Sequence, residues 1–347
     1  MVDVVLAGCG AMSKAWLDAA RLIDGLSIVG LVDLDLDRAR SRAMEFQLDR
    51  AATAESLDAM LESRRPDVVF DVVVPAARAS LARSAFVRGC HLLSEKPLAA
   101  SLEDARAVVA AARKAGLLHA VVQNRRYHPG VRRIRRFLDS GALGRPTSVH
   151  CDFFLAPHFG GFREGMEHVL LIDMAIHAFD AARAMTGLEA TRVYCREWDP
   201  QNSWYRQGAS AAAIFDMGGG AVFAYRGSWC ADGAPTSWEG SWRIVGERGS
   251  LVWDGFDSVR AEAVDGDANG GLFAPTKPVE VPPLDPSDRV GGHLGVMQDF
   301  IAAVRGGPPP ETAGADNLKS LAMVFGAVAS AEAGRPVDIV ARRSPRV

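Results

Sequence analysis

A chain of 347 residues exceeds the roughly 150 typical of one domain, which points to two. With 48% apolar and 23% charged residues it has the balance of an ordinary globular protein, so fibrous and disordered classes are excluded. A net charge of -3 provides no overall field for nucleic acid or an anionic membrane, so the expected partner is a small molecule held at a local site.

Residues 4–7 form an apolar run at the very start, with no basic n-region and too little length for a signal peptide or a membrane span, so a cytoplasmic location is expected. Through residue 124, further short apolar runs at 27–33, 68–74, 91–94 and 119–122 alternate with helical periods. Continuous apolar strands of this kind are buried on both faces, which predicts a doubly wound parallel α/β sheet over 1–124. Pro129 suits the first turn of a helix that sets Val131, Ile134, Phe137 and Leu138 on one face, with Gly141 and Gly144 ending it. That helix opens a second domain, 125–347. Its strands, at 147–154, 191–197, 209–217, 221–229 and 241–245, are longer and alternate, as in an antiparallel sheet with one wetter face; an α+β domain follows. Gly218, Gly219 and Gly220 read as a hairpin turn, and 254–290 and 306–310 as irregular loops.

Cys9, Cys90, Cys151, Cys195 and Cys230 are odd in number and widely spaced, without C-x-x-C. They are expected to pack as small hydrophobes in a reducing compartment. Eight histidines contain no H-x-x-x-H or H-E-x-x-H pairing, so no metal site is expected.

Gly8-Cys9-Gly10-Ala11-Met12-Ser13 directly follows the first strand and opens a helix, the context in which G-x-G-x-x-[small] binds a dinucleotide. Gly8 permits the tight turn, and Gly10 lets the backbone approach a pyrophosphate lying on the positive end of the helix. Ser13 stands where a glycine is usual. Alone, the motif also fits a glycine turn without ligand. Asp33 closes the second strand 23 positions after Gly10, near the roughly 20-residue offset of the carboxylate that takes the ribose hydroxyls. It repels a 2'-phosphate, so NAD is expected over NADP, and Arg38 reads as a solvated helix-face residue.

Glu95-Lys96-Pro97 follows the fourth strand at the carboxyl edge of the sheet, where ligands of such folds bind. By itself it also reads as a surface lysine in a proline turn. Asp173 and His177 lie four apart in an apolar helical run and share a face; in isolation such a pair is more often a buried structural hydrogen bond.

Taken together, Gly8-Cys9-Gly10, Glu95-Lys96-Pro97, Asp173 through His177 and the stretch from Trp242 to Ser250 resemble the glucose-fructose oxidoreductase and inositol dehydrogenase family along nearly the whole chain. The resemblance implies a Rossmann domain followed by an open-faced sheet domain, and a catalytic lysine, aspartate and histidine falling on Lys96, Asp173 and His177. It also implies a cis Lys96-Pro97 bond and homodimers or homotetramers formed through the open sheet, for which Trp198, Trp204, Trp229 and Trp242 are candidate covering residues, or else ordinary core. The candidate NAD contacts are Gly8, Gly10, Ala11, Met12, Asp33, Pro75, Glu95 and Lys96. The candidate substrate contacts are Lys96, Arg126, His158, Arg163, Asp173 and His177; Arg126 matches the family's arginine near the substrate but also fits a basic helix face with its arginine neighbours. Many relatives carry glycines before the helix aspartate, where this chain has Val169-Leu170-Leu171-Ile172, so the shape of the substrate does not carry over.

In chemical terms His177 is expected to accept the proton of a sugar or cyclic polyol hydroxyl, with Asp173 orienting the imidazole and Lys96 favouring the developing alkoxide. Two other activities fit the resemblance: a glycosidase working through transient oxidation of the sugar ring, and a sugar or dinucleotide sensor without catalysis. NADH accumulation distinguishes the first, and retention of the three polar residues speaks against the second.

Overall fold

The computed structural model describes residues 1–266 and 271–339. They form two compact units, one built from Met1–Tyr127 with Arg289–Leu318, the other from His128–Asp288 with the chain from Lys319 onward. No described helix is long and apolar enough to cross a membrane.

In the first unit the chain alternates β1 (Val2–Ala7), α1 (Ser13–Ala20), β2 (Leu26–Val32), α2 (Leu36–Glu45), β3 (Ala52–Ala54), α3 (Leu57–Arg64), β4 (Val68–Asp71), α4 (Pro75–Val87), β5 (His91–Ser94), α5 (Leu102–Ala115) and β6 (His119–Val121). The strands are parallel in the order β3-β2-β1-β4-β5-β6, the doubly wound Rossmann arrangement, whose topological switch lies between β1 and β4. Val4, Val5, Leu6, Val68, Val69 and Phe70 are fully buried because helices cover both faces, which is why their strands read as unbroken apolar runs. Two details differ from the sequence reading. β3 was not expected, since three half-buried residues are too few to show a period. β4 stops at Asp71: the Val72 N–H still donates to Ala7 O at 2.8 Å, but Asp71 Oδ1 accepts from the Val73 N–H at 3.2 Å, a local turn that ends the ladder there.

The division at 124 also needs correction. Residues 125–127 and 289–318 belong with the Rossmann unit, because α8 (His293–Val304) presents Val296, Met297, Phe300 and Ile301 to the core formed by Val4, Leu6, Trp16, Leu17 and Phe70. Buried Asp299 secures the return. It accepts from Tyr127 Oη at 2.8 Å and the Glu311 N–H at 2.8 Å, and pairs with Arg289 at 2.6 Å, so its charge is matched where it is desolvated.

The second unit opens with α6 (Pro129–Asp139), capped by His128 Nδ1 accepting from the Gly130 N–H at 3.2 Å, and buries Val131, Ile134, Phe137 and Leu138 as expected. Its other elements are β7 (Pro146–Phe154), a π-helical stretch (Leu170–Ala175), α7 (Ile176–Thr186), β8 (Ala190–Trp198), β9 (Ser210–Met217), β10 (Val222–Ser228), β11 (Ser241–Gly246), β12 (Gly249–Trp253), β13 (Val259–Val264), β14 (Thr276–Val279) and β15 (Val337–Asp338), while α9 (Gly314–Ala333) contains the boundary between units. The strands form one sheet, β14-β13-β12-β11-β7-β10-β9-β8-β15, antiparallel except for β7 with β10. Met217 N–H to Ala221 O at 2.8 Å closes the predicted hairpin over the three glycines, with Gly219 and Gly220 at φ +72 and +79. Phe179 of α7 packs edge-on against Phe215, Phe223 and Tyr225, filling one face of the sheet. The other face carries Tyr194, Ile214, Arg226 and Arg243.

Residues 254–290 are not all loop, as expected, because β13 and β14 lie within them; residues 267–270 fall outside the described set. β13 alternates Val259, Ala261 and Ala263 with Arg260 and Glu262, and alanines give too weak an apolar signal to mark a strand. Trp229 and Trp242 are core residues, whereas Trp198 is exposed. All five cysteines are free and buried, and burial pushes the thiols of Cys9 and Cys195 up to about 12.

Buried His119 on β6 lies 3.4 Å from Ser94 Oγ, and burial pushes its pKa down to about 4. The unfolded chain therefore binds a proton that the folded one refuses between about pH 6.5 and 4, so this group withdraws up to about 3 kcal/mol of stability as pH falls through that window. Asp71, raised to about 6 by burial with Arg78 opposing, acts in the opposite sense over part of the same range. Thermal melts at pH 7 and pH 4.5 should show His119→Gln gaining stability relative to the wild type on acidification; a pH-independent difference rules the effect out.

Candidate active site

A cleft of about 640 Å³ opens at the carboxyl edge of the Rossmann sheet, lined by Gly8 and Gly10 after β1, Asp33 and Arg38 after β2, and Val72, Val73 and Val74 after β4. The last three follow the end of β4. Gly8 has φ +98, and a Cβ there would sit 2.6 Å from the Val72 carbonyl, so only glycine fits. At Gly10 a Cβ would meet nothing within 4 Å, so the backbone borders open space.

The turn is gripped from both sides. Asp33 Oδ2 accepts from the Cys9 N–H at 2.8 Å, and Arg42 of α2 donates through Nη2 to the carbonyl oxygens of Cys9 and Gly10 at 3.2 and 3.1 Å. Glu45 holds Arg42 at 2.6 Å and Lys14 at 2.6 Å. In a planar trans peptide the N–H points away from the C=O, so Arg42 turns the Gly10 and Ala11 N–H groups to the opposite side, as an anion-binding nest requires. Ser13 is fully buried and its Oγ donates to Gly10 O at 2.6 Å, which shows why serine serves at this position. No side chain caps α1, whose N-cap is Met12. This setting fits a dinucleotide, with its pyrophosphate at Gly10, Ala11 and Met12 and its ribose at Asp33. Arg38 is solvated on α2 as expected, its side chain 53% exposed, and it also pairs with Asp33 at 3.3 Å and Asp35 at 3.4 Å and borders the cleft. Pro75 is the first residue of α4, next to cleft-lining Val74.

At the end of β5 the Lys96-Pro97 bond is cis and Lys96 is half-buried. Glu95 is almost wholly buried. Its Oε1 accepts from Trp16 Nε1 at 2.9 Å and His293 Nε2 at 3.3 Å, and Oε2 from the Lys96 N–H at 3.0 Å. Burial raises its pKa, but the hydrogen bonds from His293 and Trp16 and the Lys96 charge outweigh that, so the carboxylate stays below its usual range. Glu95 thus anchors the lysine turn from inside the unit. Arg78 ties the same turn to the cleft, donating to Pro97 O and to Val73 O, with Asp71 3.8 Å away. Arg126, a candidate substrate contact, lies on the 3-10 turn at Asn124–Tyr127, donates to Glu311 O at 3.0 Å and pairs with Asp316 at 2.5 Å within this unit.

In the second unit, Asp173 lies on the π-helical stretch and His177 in the first turn of α7, both about 8% exposed among apolar neighbours. A π turn where a uniform α-helix was expected is a common device for placing functional side chains. The stretch hangs from a nearby loop by Val169 N–H to Gln207 O and Leu170 N–H to Gly208 O, each 3.1 Å. His168, at φ +52, pairs with buried Glu197 at 2.6 Å just before it. Arg163 Nε donates to Asp173 Oδ2 at 2.7 Å, and its guanidinium carbon lies 5.0 Å above the Phe159 ring and 4.9 Å above that of Phe162. His158 stacks on Trp204 with centroids 3.7 Å apart. Of the expected substrate residues, Arg163 and Asp173 are therefore in contact. Sequence reading missed Arg42, the Arg78–Asp71 pair and the His168–Glu197 pair, which no spacing rule marks. Among the described residues no cluster suited to a metal ion occurs.

Comparison with known proteins places this architecture. Residues 2–123 match the oxidoreductase family with an NAD-binding Rossmann fold, and residues 131–252 match the GFO/IDH/MocA C-terminal domain. The chain belongs to this family of NAD-binding oxidoreductases. D-apiose dehydrogenase of Paraburkholderia graminis is 29% identical over 96% of this chain and 88% of its own length, and inositol 2-dehydrogenase 4 of Saccharopolyspora erythraea is 33% identical over 56% of each. The crystal structure of an oxidoreductase from Agrobacterium radiobacter with NAD+, L-tartaric acid and magnesium shares the fold at a TM-score of 0.84 and 24% identity, covering 97% of this chain and 98% of the other.

If Arg42 sets the direction of the phosphate-facing amides, Arg42→Met should weaken ADP-ribose and NAD binding by roughly tenfold or more, the scale of a lost charged hydrogen bond, while leaving adenosine binding nearly unchanged. Calorimetric titration of the three ligands checks it; equal weakening of all three would mean general loosening of the fold.

Proposed function

We propose that the protein oxidises a hydroxyl of a sugar or cyclic polyol to a carbonyl with NAD, and that Lys96, Asp173 and His177 are its catalytic residues. The observation that carries this reading is the nearly buried Asp173–His177 pair on one helical stretch, in a chain whose glycine turn and Asp33 suit a dinucleotide. The activities of D-apiose and inositol dehydrogenase relatives support the substrate class. His177 takes the hydroxyl proton, Asp173 orients the imidazole and steadies its positive charge, and Arg163 keeps Asp173 in place. Lys96, set by the Glu95 anchor, donates to the hydroxyl oxygen and favours the alkoxide. Bound NAD supplies the acceptor for the hydride that leaves the carbinol carbon. The open sheet face, where exposed Ile214 and Tyr194 lie opposite each other in register, serves as the surface of a homodimer or homotetramer.

His177→Ala should lower kcat by about 10² to 10⁴ with NAD affinity preserved, measured on the best substrate from a panel of pyranoses, inositols and aryl glycosides. Undiminished turnover removes His177 from the role, and absence of NADH formation across the panel removes the dehydrogenase reading. Ile214→Arg should lower the sedimenting mass; an unchanged mass excludes the open face as the contact.

A further inference from the structure

Three loops of the second unit are bound into one frame around the helix that carries Asp173: 155–169 after β7, 199–209 after β8 and 229–240 after β10. Leu155 N–H donates to Ser228 O at 3.1 Å, Thr236 N–H to Phe154 O at 3.0 Å, Arg206 N–H to Glu164 O at 2.8 Å, and Tyr205 Oη to Pro157 O at 2.7 Å. Aromatic side chains are concentrated on this frame. Trp204 meets Tyr205 at 5.5 Å, Tyr205 meets Trp229 at 5.8 Å, and Phe159 meets Trp229 at 5.6 Å and Trp238 at 6.1 Å. Tyr205 and Trp229 are buried and act as a base. The upper rings are not: Phe159 is 49%, Phe162 62% and Trp238 46% exposed.

Large rings left in water on loops tied to one another by hydrogen bonds mark a binding surface, because leaving them uncovered is unfavourable. What covers them is indicated by Arg163. This one side chain touches both Phe159 and Phe162 through its guanidinium and Asp173 through Nε, so the rings are continuous with the carboxylate of the catalytic helix. We propose that these rings form a subsite for a planar aromatic ring attached to the sugar, so that the preferred substrate is an aryl glycoside. This rests on the dehydrogenase reading above. A free monosaccharide would meet Asp173 and His177 with its hydroxyls and leave Phe162 and Trp238 bare. A planar aromatic group covers tilted rings by offset and edge-on contacts, and its π face suits a nearby guanidinium.

The test compares methyl and 4-nitrophenyl glycosides of glucose, xylose and galactose, with the disaccharide cellobiose as a control, by NADH formation. In the wild type the 4-nitrophenyl compound should have a KM about tenfold below its methyl partner, and Phe162→Ala or Trp238→Ala should bring that ratio close to one. The proposal is overturned by equal KM values in the wild type, by variants that shift both glycosides alike, by an equal gain with cellobiose, or by variants whose sedimenting mass drops, which would make the rings a contact between copies. Should neither the glycosides nor any free pyranose or inositol reduce NAD, the dehydrogenase reading fails on its own. Quenching of tryptophan fluorescence by 4-nitrophenyl glucoside, saturable in the wild type and about tenfold weaker in Phe162→Ala, then still decides the subsite.

Discussion

The contact between Arg42 and the carbonyl oxygens of Cys9 and Gly10 converts a glycine turn into an oriented one. Glycine supplies freedom, and freedom alone leaves N–H groups pointing in many directions. Here the Cys9 N–H is taken by Asp33 and two carbonyls are taken by Arg42, so few ways remain to place the Gly10 and Ala11 amides. The charge that does this is itself nearly buried and held by Glu45, so the turn is ordered before any ligand arrives. Preorganised donors lose less on binding than donors that must first be ordered, and a pyrophosphate has many charges to satisfy at once.

The same logic runs through the rest of the first unit. Asp33 positions the turn by one oxygen and meets Arg38 by the other, Glu95 fixes the lysine turn by accepting three hydrogen bonds, and Arg78 joins that turn to Val73 beside the cleft. Each is a charged side chain removed from water, and each is matched where it lies, as burial of charge demands. Polar residues at the carboxyl edge of the sheet thus act on backbone geometry as much as on ligands.

What the sequence disclosed follows from what periodicity measures. Apolar runs and alternation report burial, so β5 and the buried face of α6 were legible residue by residue and β1 from Val4 onward, and G-x-G with Asp33 was legible because the spacing is set by one βαβ unit. Periodicity does not say which core a helix joins. Helix α8 shows an apolar face that would suit either unit, and the choice is made by Asp299 meeting Tyr127, 172 positions away in sequence. The Arg42 grip, the His293–Glu95 contact and the Arg126–Asp316 pair are long-range in the same way, because sequence shows a charge without its partner. In β13, alanine alternating with charge was too faint to separate from loop.

The helix with Asp173 and His177 shows why a buried polar pair is informative only in its setting. Leu170, Leu171, Met174, Ala175 and Ile176 surround the two residues with apolar neighbours, which makes a charge there expensive and its position sharply defined. A purely structural pair would be served by an ordinary α-helical turn with its backbone bonds closed internally. The chain instead forms a π turn at this point, suspends it from the Gln207 and Gly208 carbonyls, and brings Arg163 to Asp173 from a loop whose aromatic rings stand in solvent. Irregular backbone, buried charge and exposed rings each reduce stability on their own, and their coincidence in one unit, joined through Arg163, is what the proposed site rests on.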